Sequence, residues 1–338
     1  MKRLAFLIAL AGACAAVSRA ADFSIVDRFP IGGEARYDYL RVDPAMRRLY
    51  VAHGAQVDVL NADTGTKLGA IGGMHGIHGI AIDPKLRRGF VTSGGDRTVV
   101  MFGLDTLKTL KVITGVGVGP DAVKYDPVTE RIYVANGQSG GITVIDPDTG
   151  DIAVNIPVDG KLEGMAFDGR GRLFVNSEDR SEIQVVDFAA MQVVAAWPLG
   201  PVEGGTGLAA DAIHHRLFSA GGNGKLAVVD SDTGRMVAVV PIGEDPDGDA
   251  FDATDALIFT SNMPGTLSII HEDTPDSYSP VQTVLTAYGA RTIAFDPKSG
   301  NLFLPAAKFG PLPAPTAADP HPRRQGKPGS FEVLVVGR

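Results

Sequence analysis

Residues 126–150, DPVTERIYVANGQSGGITVIDPDTG, contain a pattern that recurs along the whole chain. The segment begins with Asp-Pro and a short turn, continues through RIYVAN (131–136) and ITVID (142–146), and ends in a DTG turn (148–150). Alternation of apolar and polar residues, bounded by Gly, Asp and Pro, is typical of short strands. The segment therefore predicts two strands separated and followed by turns.

An aspartate like the one that opens this segment recurs at intervals of 40 to 44 residues. These anchor aspartates are Asp43, Asp83, Asp126, Asp168, Asp211, Asp252 and Asp296. An apolar run precedes each one and three strand-like segments follow, so each repeat contains four strands. Four strands in a repeat of forty-odd residues indicate a β-propeller blade. A tandem array of separate sandwich domains is excluded, because forty residues bury too little apolar surface to fold alone.

Seven anchors predict an all-β, seven-bladed propeller with four-stranded antiparallel blades. The last repeat is one strand short and ends at SFEVLVVGR (330–338). The segment DFSIVDRFPIG (22–32) has the alternation needed to supply the missing outer strand. We predict that it completes blade seven and closes the ring, which removes the open sheet edges of a linear array. Residues 21–338 would then form one domain.

The first twenty residues have the features of a secretory signal peptide. Lys2 and Arg3 precede an apolar stretch, and small residues stand at Ser18 and Ala20. This order predicts cleavage after Ala20 and a periplasmic or secreted protein. No later segment is long and apolar enough for a transmembrane helix, and we expect a monomer.

Composition excludes several kinds of chemistry. Cys14 is the only cysteine and lies in the predicted signal peptide, so the mature chain would lack disulfides and thiolate nucleophiles or metal ligands. The chain has 31 basic and 39 acidic residues, a formal net charge of −8. An acidic protein is poorly suited to non-specific binding of nucleic acid.

The repeat resembles that of the YVTN family of bacterial β-propellers, the YncE-like group. The four-letter signature stands at YVAN (133–136), YVAH (50–53), FVTS (90–93), FVNS (174–177) and FTSN (259–262), with FSAG (218–221) and FLPA (303–306) as departures. The resemblance implies an exported propeller with WD40-like architecture and carries over no catalytic residue. Related seven-bladed propellers include lactonases and antibiotic lyases, and no motif here selects either activity.

Polar residues are expected to gather on one face of the propeller. In each blade, the loop leading into the inner strand and the loop between the second and third strands lie on the same face, here called the mouth face. Five positions before the anchors stand the ring residues Asp38, His78, Asp121, Glu163, Thr206, Asp247 and Arg291. Convergent polar groups at a concave mouth predict a binding site for a ligand or cation. The alternative is a solvated rim that tolerates charge.

Histidines on the same face raise the question of a metal site. His53 occupies the Asn position of the signature, and His75 and His78 lie in GGMHGIHGIAID (72–83). Three imidazoles with Asp38 or Asp121 would suit zinc or copper, and the carboxylates would also suit calcium. The alternative is that the glycines form a tight crossing into a strand and no metal binds. His214 and His215 lie in a turn of the opposite face and are expected to be solvated.

The longest departure from the repeat is the Pro-rich segment 306–330 in blade seven. It should leave the mouth face and carries the cationic or ionisable residues Lys308, His321, Arg323, Arg324 and Lys327. Long loops inside compact domains are usually functional or disordered. We interpret this one as a lid over the acidic mouth, with a surface flap over the blade edges as the alternative.

Two functions remain open at this point. The first is a binding or scaffold protein of the cell envelope that recognises a small molecule or a protein partner at the mouth face. The second is a lactonase-like hydrolase or lyase, assisted by a metal, that acts at the same face. No G-x-S-x-G motif or other pairing of nucleophile and base is recognisable, which favours the first. The sequence requires no cofactor.

Overall fold

A computed structural model describes residues 22–316, 319–320 and 322–338. These residues form seven four-stranded antiparallel sheets. The innermost strands contact one another in a closed cycle around a central channel. The prediction of a seven-bladed, all-β propeller is confirmed. The predicted signal peptide, residues 1–20, lies outside the described residues, and within them no helix is long and apolar enough to cross a membrane.

The first strand, β1 (Ser24–Pro30), belongs to blade seven. From the channel outwards, blade one contains β2 (Tyr37–Asp43), β3 (Arg48–His53), β4 (Gln56–Asn61) and β5 (Lys67–Gly72). Blade two contains β6 (Ile77–Asp83), β7 (Arg88–Ser93), β8 (Thr98–Gly103) and β9 (Thr109–Ile113). Blade three contains β10 (Pro120–Asp126), β11 (Arg131–Asn136), β12 (Ile142–Ile145) and β13 (Ile152–Ile156).

Blade four contains β14 (Leu162–Phe167), β15 (Arg172–Ser177), β16 (Glu182–Asp187) and β17 (Gln192–Pro198), with a 3₁₀ turn at Glu178–Arg180. Blade five contains β18 (Gly205–Asp211), β19 (Arg216–Gly221), β20 (Lys225–Asp230) and β21 (Met236–Pro241). Blade six contains β22 (Pro246–Asp252), β23 (Leu257–Asn262), β24 (Thr266–Thr274) and β25 (Ser277–Leu285). Blade seven contains β26 (Ala294–Phe295), β27 (Leu302–Ala306), β28 (Glu332–Gly337) and β1.

Blade seven is completed by strands from the two ends of the described chain. β1 pairs antiparallel with β28, with Ser24 opposite Gly337 and Pro30 opposite Glu332. Phe29 is 3% exposed and its ring centroid lies 6.2 Å from that of Phe303 in β27. The predicted closure by the N-terminal strand is therefore confirmed.

The second strand of every blade is buried on both faces, because neighbouring blades pack against it. Each contributes one fully buried aromatic residue: Tyr50, Phe90, Tyr133, Phe174, Phe218, Phe259 or Phe303. This aromatic residue is the first letter of the four-letter signature. In blade three it is Tyr133, which stacks on Phe188 of blade four with ring centroids 4.7 Å apart. Burial of one such side chain contributes about 2–3 kcal/mol, so the signature marks the contact between blades.

The anchor aspartates recur because each forms the turn after an inner strand. All seven are buried. In blade three, Asp126 accepts backbone N–H groups from Val128 and Thr129, at 3.3 and 3.0 Å. In blade two, Asp83 accepts the equivalent N–H groups from Lys85 and Leu86. A carboxylate that binds its own backbone two and three residues on stabilises this turn, which explains the spacing without any catalytic role.

The glycine of the DTG turn meets two requirements at once. Gly65 and Gly234 have φ values of +66° and +75°, which favour glycine. A Cβ atom at Gly65 would also lie 2.3 Å from the ring of Phe29, and one at Gly234 would lie 2.5 Å from the ring of Trp197. At these two turns, the outer strand of the preceding blade therefore packs an aromatic ring onto the glycine.

Candidate ligand site at the channel mouth

The inner strands bring all seven ring residues to one place. Six of them are the second residue of an inner strand, and Arg291 precedes β26. All seven line a single cavity of about 350 Å³. The cavity adjoins the channel proper, with which it shares Tyr39 and Asp247. Counting back from the anchors therefore predicted which side chains meet.

Hydroxyl groups of neighbouring blades hold the backbone of the ring in place. Thr92 donates a hydrogen bond to the carbonyl oxygen of Asp121 at 2.6 Å. Ser261 donates to the carbonyl oxygen of Arg291 at 2.6 Å. Thr292 donates to that of Asp38 at 2.8 Å. Because each bond crosses from one blade to the next, the backbone at Asp38, Asp121 and Arg291 is held against the neighbouring blade before any ligand arrives.

Four ring residues are each followed by a glycine, because the inner strands of neighbouring blades approach each other closely at these positions. A Cβ atom at Gly164 would lie 2.4 Å from the carbonyl oxygen of Thr206 in the next blade. Gly79, Gly207 and Gly248 stand at the equivalent positions, and a Cβ atom there would lie within 2.6 to 2.9 Å of the following blade. These glycines allow neighbouring inner strands to approach closely, which keeps the mouth narrow.

Ion pairs join five of the seven ring residues into two groups. Asp38 Oδ2 lies 2.5 Å from His78 Nδ1, and Asp121 Oδ1 lies 3.9 Å from the same nitrogen. Arg291 Nε lies 3.1 Å from Asp247 Oδ2. Thr206 is not free to act as a nucleophile, because its hydroxyl donates to the carbonyl oxygen of Pro246 at 2.6 Å.

Two charged residues of the cavity wall were missed by the sequence analysis. Lys161 Nζ lies 2.9 Å from Glu163 Oε1 and also pairs with Glu178. Lys161 stands in the loop before β14, and Glu178 stands between the second and third strands of blade four. Both loops belong to the mouth face, so extending the count beyond the ring positions would have found them.

Crowding of carboxylates changes their protonation. Burial, followed by the charge of Asp121, raises the pKa of Glu163 to about 8. Burial, followed by the charge of Asp38, raises the pKa of Asp121 to about 7. Burial also raises the pKa of Asp247 to about 7, although Arg291 opposes the shift. The ring therefore retains protons near neutral pH that a cationic ligand could displace.

His78 carries a positive charge at neutral pH. Burial of the imidazole lowers its pKa, but the hydrogen bond to Asp38 and the charges of Asp121, Asp38 and Glu163 outweigh burial and raise the pKa to about 9. A protonated imidazole cannot accept a proton, so it is unsuited to the role of general base. Asp38, His78 and Asp121 nevertheless place one ligand atom each within 4.8 Å of one another, which is compatible with a divalent metal.

The structure does not bring His53, His75 and His78 together. Both nitrogens of His53 are engaged, Nδ1 with Asp58 Oδ2 at 2.6 Å and Nε2 with the carbonyl oxygen of Glu34 at 2.7 Å. His75 has a side chain 78% exposed and pairs with Asp96. Of the three predicted metal ligands, only His78 lines the mouth cavity. The suggested three-histidine arrangement therefore needs correction, because the partners of His53 leave it no free nitrogen.

The base of the 306–330 loop is ordered by its own contacts. Phe309 forms an isolated antiparallel bridge with Gly326. The Arg324 guanidinium lies 5.2 Å from the ring centre of Tyr288 and donates to the carbonyl oxygen of Gly310 at 3.1 Å. Lys308, Arg323, Arg324 and Lys327 do not line the mouth cavity, and His321 lies outside the described residues. A lid function stays a prediction.

Behind the ring, the channel forms an adjoining cavity of about 360 Å³. Its wall includes Arg41, Lys124 and Asp249. Burial lowers the pKa of Lys124 to about 8, assisted by the charge of Arg41. Burial raises the pKa of Asp249, whose Oδ1 has no hydrogen-bond partner among the described residues. The acidic mouth therefore leads to a mixed interior, in which these charged side chains lie among apolar residues such as Val42 and Phe251.

Comparison with known proteins places this geometry among propellers. A sequence profile of the family described as outer membrane protein assembly factor BamB matches residues 53–301. No curated protein sequence matches the chain.

Solved structures resemble the chain in fold. A chain of the Kuenenia stuttgartiensis hydrazine synthase is 16% identical, with a TM-score of 0.68, over 81% of this chain and 93% of its own. A chain in the crystal structure of a mitotic checkpoint complex is 14% identical, with a TM-score of 0.75, over 100% of this chain and 99% of its own. At these identities the likeness is one of fold alone.

Proposed function

Because the profile spans most of its length, the chain belongs to the family described as outer membrane protein assembly factor BamB, and from this premise we propose a binding scaffold of the cell envelope. Its mouth would recognise a positively charged group on a small molecule or a protein partner. The features of a signal peptide in residues 1–20 and the name of the family support a periplasmic location. Within this family, the YVAN-type signature supports assignment to the YVTN, YncE-like group.

The observation that carries the proposal is the charge balance of one cavity. Five carboxylates line it, those of Asp38, Asp121, Glu163, Glu178 and Asp247. Three cationic side chains oppose them, those of His78, Lys161 and Arg291. Protons on Asp121, Glu163 and Asp247 lower the negative charge of the cavity near neutral pH. A cationic ligand would favour ionisation of these carboxyl groups and would replace the protons that they lose. A volume of about 350 Å³ fits a small ligand or one side chain of a partner.

Binding is favoured over catalysis by the state of the candidate groups. His78 is protonated at neutral pH and the Thr206 hydroxyl is committed to a backbone carbonyl. The one hydroxyl of the ring is thus unavailable as a nucleophile. A metal-assisted hydrolase of the lactonase type is the second candidate, and the Asp38, His78 and Asp121 cluster is the observation that favours it.

The test uses a matched pair of lysine derivatives and calorimetric titration. We expect the amide of N-acetyl-lysine to bind at least about tenfold more tightly than the same molecule with its side-chain amine acetylated, since only the first carries a charge. In the double variant Glu163→Gln, Asp247→Asn, the ratio of the two affinities should fall about tenfold. This fall corresponds to a binding free energy of about 1.4 kcal/mol.

Asp148→Asn is the control, because this carboxylate has a side chain 70% exposed on a DTG turn of the opposite face. Equal affinity for the two lysine derivatives would refute the proposal. In a parallel assay, wild type and His78→Ala loaded with zinc should hydrolyse lactones at the same background rate. A rate above background in wild type alone would establish the second candidate instead.

A further inference from the structure

A second cluster of ionisable side chains lies on the face opposite the mouth. Asp211 ends β18 of blade five, His214 belongs to the turn that follows it, and Glu272 belongs to β24 of blade six. His214 Nδ1 lies 2.6 Å from Asp211 Oδ2 and 3.7 Å from Glu272 Oε1. One ligand atom from each of the three side chains lies within 4.8 Å of the others. The cluster thus joins two blades.

Burial distinguishes this cluster from ordinary surface ion pairs. The side chains of Asp211 and Glu272 are only 3% and 2% exposed. Glu272 Oε2 is buried and has no hydrogen-bond partner among the described residues. Its other oxygen accepts only a long hydrogen bond, 3.3 Å, from the Tyr278 hydroxyl. A buried carboxylate beside a second carboxylate requires a positive charge or a proton. Among the described residues, His214 is the basic side chain that pairs with both.

We propose that Asp211, His214 and Glu272 bind one divalent transition-metal ion, with zinc as the best fit. Imidazole nitrogens and carboxylate oxygens are both zinc ligands, with bonds of about 2.0–2.2 Å, and three protein ligands with one open position are typical of zinc sites that also bind water. Calcium is a poorer fit because it requires six to eight oxygen ligands, and an imidazole ligand favours transition metals. The side chain of His214 is 47% exposed, so a water molecule can complete the coordination.

The metal ion would cross-link blades five and six. Glu272 stands near the end of β24, which with β25 forms the longest hairpin of the propeller, nine residues in each strand. Asp211 also holds the turn of blade five, since its Oδ1 accepts N–H groups from Ile213 and His214. A bound ion would link the turn of one blade to the hairpin of the next. This role is independent of binding at the mouth.

The experiment measures zinc binding by protein purified without a histidine tag and stripped with a chelator. We expect wild type to bind zinc and to gain about 3 °C in melting temperature with excess zinc, because the ion binds the folded state. His214→Ala and Glu272→Gln should each bind at least about tenfold more weakly, by analogy with changes around known metal sites, and should lose the thermal gain. The glutamine variant retains the shape of the side chain, which guards against misfolding as an explanation.

Two control variants separate this site from its neighbours. His215→Ala removes an adjacent imidazole that pairs with Asp232 outside the cluster, and it should bind zinc like wild type. His78→Ala removes the imidazole of the mouth cluster and should also leave this affinity unchanged. The proposal is overturned if wild type binds no zinc, or if His214→Ala and Glu272→Gln bind it as tightly as wild type. Loss of binding in His78→Ala alone would assign the zinc to the mouth.

Discussion

His53 performs the structural task of the asparagine that it replaces. In blade three, Asn136 ends the second strand and donates to the Thr143 hydroxyl at 3.1 Å. In blade six, Asn262 donates to the Ser268 hydroxyl at 3.0 Å. His53 bonds to Asp58, which occupies the position of that hydroxyl in the pairing register. A longer side chain is therefore matched by a different partner, and the two changes compensate.

Replacing His53 by alanine should destabilise the protein by about 2–3 kcal/mol, because a buried carboxylate would lose one of its partners. Lys67, which also pairs with Asp58 at 2.6 Å, limits the effect. His75→Ala, at an exposed position, should change stability by less than about 0.5 kcal/mol. Urea unfolding of the three proteins measures both values. Equal destabilisation by the two substitutions would contradict a structural role for His53.

For single residues, the sequence predicted on which face of the propeller a side chain lies better than it predicted the partner of that side chain. Counting from the anchors placed Asp38, His78 and Asp121 at one mouth, because strand periodicity determines which residues share a location. The position of His53 in the four-letter signature placed it on the mouth face but could not show that its ring turns inward to Asp58. The replacement of Thr143 or Ser268 by an aspartate at position 58 was a visible signal for that contact.

Among the elements, β1 differs from the other outer strands because it comes from the opposite end of the chain to the strands that it joins, and its Phe29 contributes to the core. Phe29 packs against Phe303 and covers Gly65 of blade one. Phe29→Ala should therefore destabilise the protein by about 3 kcal/mol. Val26→Ala, in the same strand but 49% exposed, should have an effect below about 1 kcal/mol.

Denaturant midpoints of the two variants test this prediction. A similar shift for both would show that the strand contributes through its backbone hydrogen bonds and not through the aromatic ring.

The strands were predictable as elements because alternation and turn residues are local signals. Contacts between strands and turns of different blades were harder to predict from the sequence. The DTG glycines are explained by turn chemistry, yet Gly234 is also constrained by Trp197, which lies 37 residues earlier in the chain. The loop 306–330 has no period at all, so its position relative to the mouth could not be derived from pattern.

At the scale of the whole molecule, the ionisable side chains of the mouth whose pKa values are shifted predict how stability depends on pH. Carboxyl groups in an unfolded chain have pKa values near 4, whereas those of Asp121, Glu163 and Asp247 are raised to about 7 or 8. Between these values the folded state binds more protons than the unfolded state, so stability falls as pH rises. His78 acts in the same direction between about 6.5 and 9, because its pKa is also raised.

We expect the melting temperature to be highest near pH 5 and to fall by about 5 °C towards pH 9. Below pH 4 it should fall again, because the pKa of Asp232 is lowered to about 2 despite the opposing effect of burial, through its bonds to His215, Arg172 and Arg170. The triple variant Asp121→Asn, Glu163→Gln, Asp247→Asn should give a flatter profile between pH 5 and 9. Scanning calorimetry across this range decides the point, and a wild-type maximum above pH 8 would contradict it.

The pairing of β1 with β28 also has a consequence for folding during synthesis. The ribosome synthesises β1 some three hundred residues before β28. Strand β1 therefore has no partner until β28 is made. A chain that stops before Glu332 lacks the strand against which Ser24–Pro30 pairs, and its ring stays open with two unpaired edges. Until β28 is made, β1 and β27 therefore each retain a strand edge without a partner.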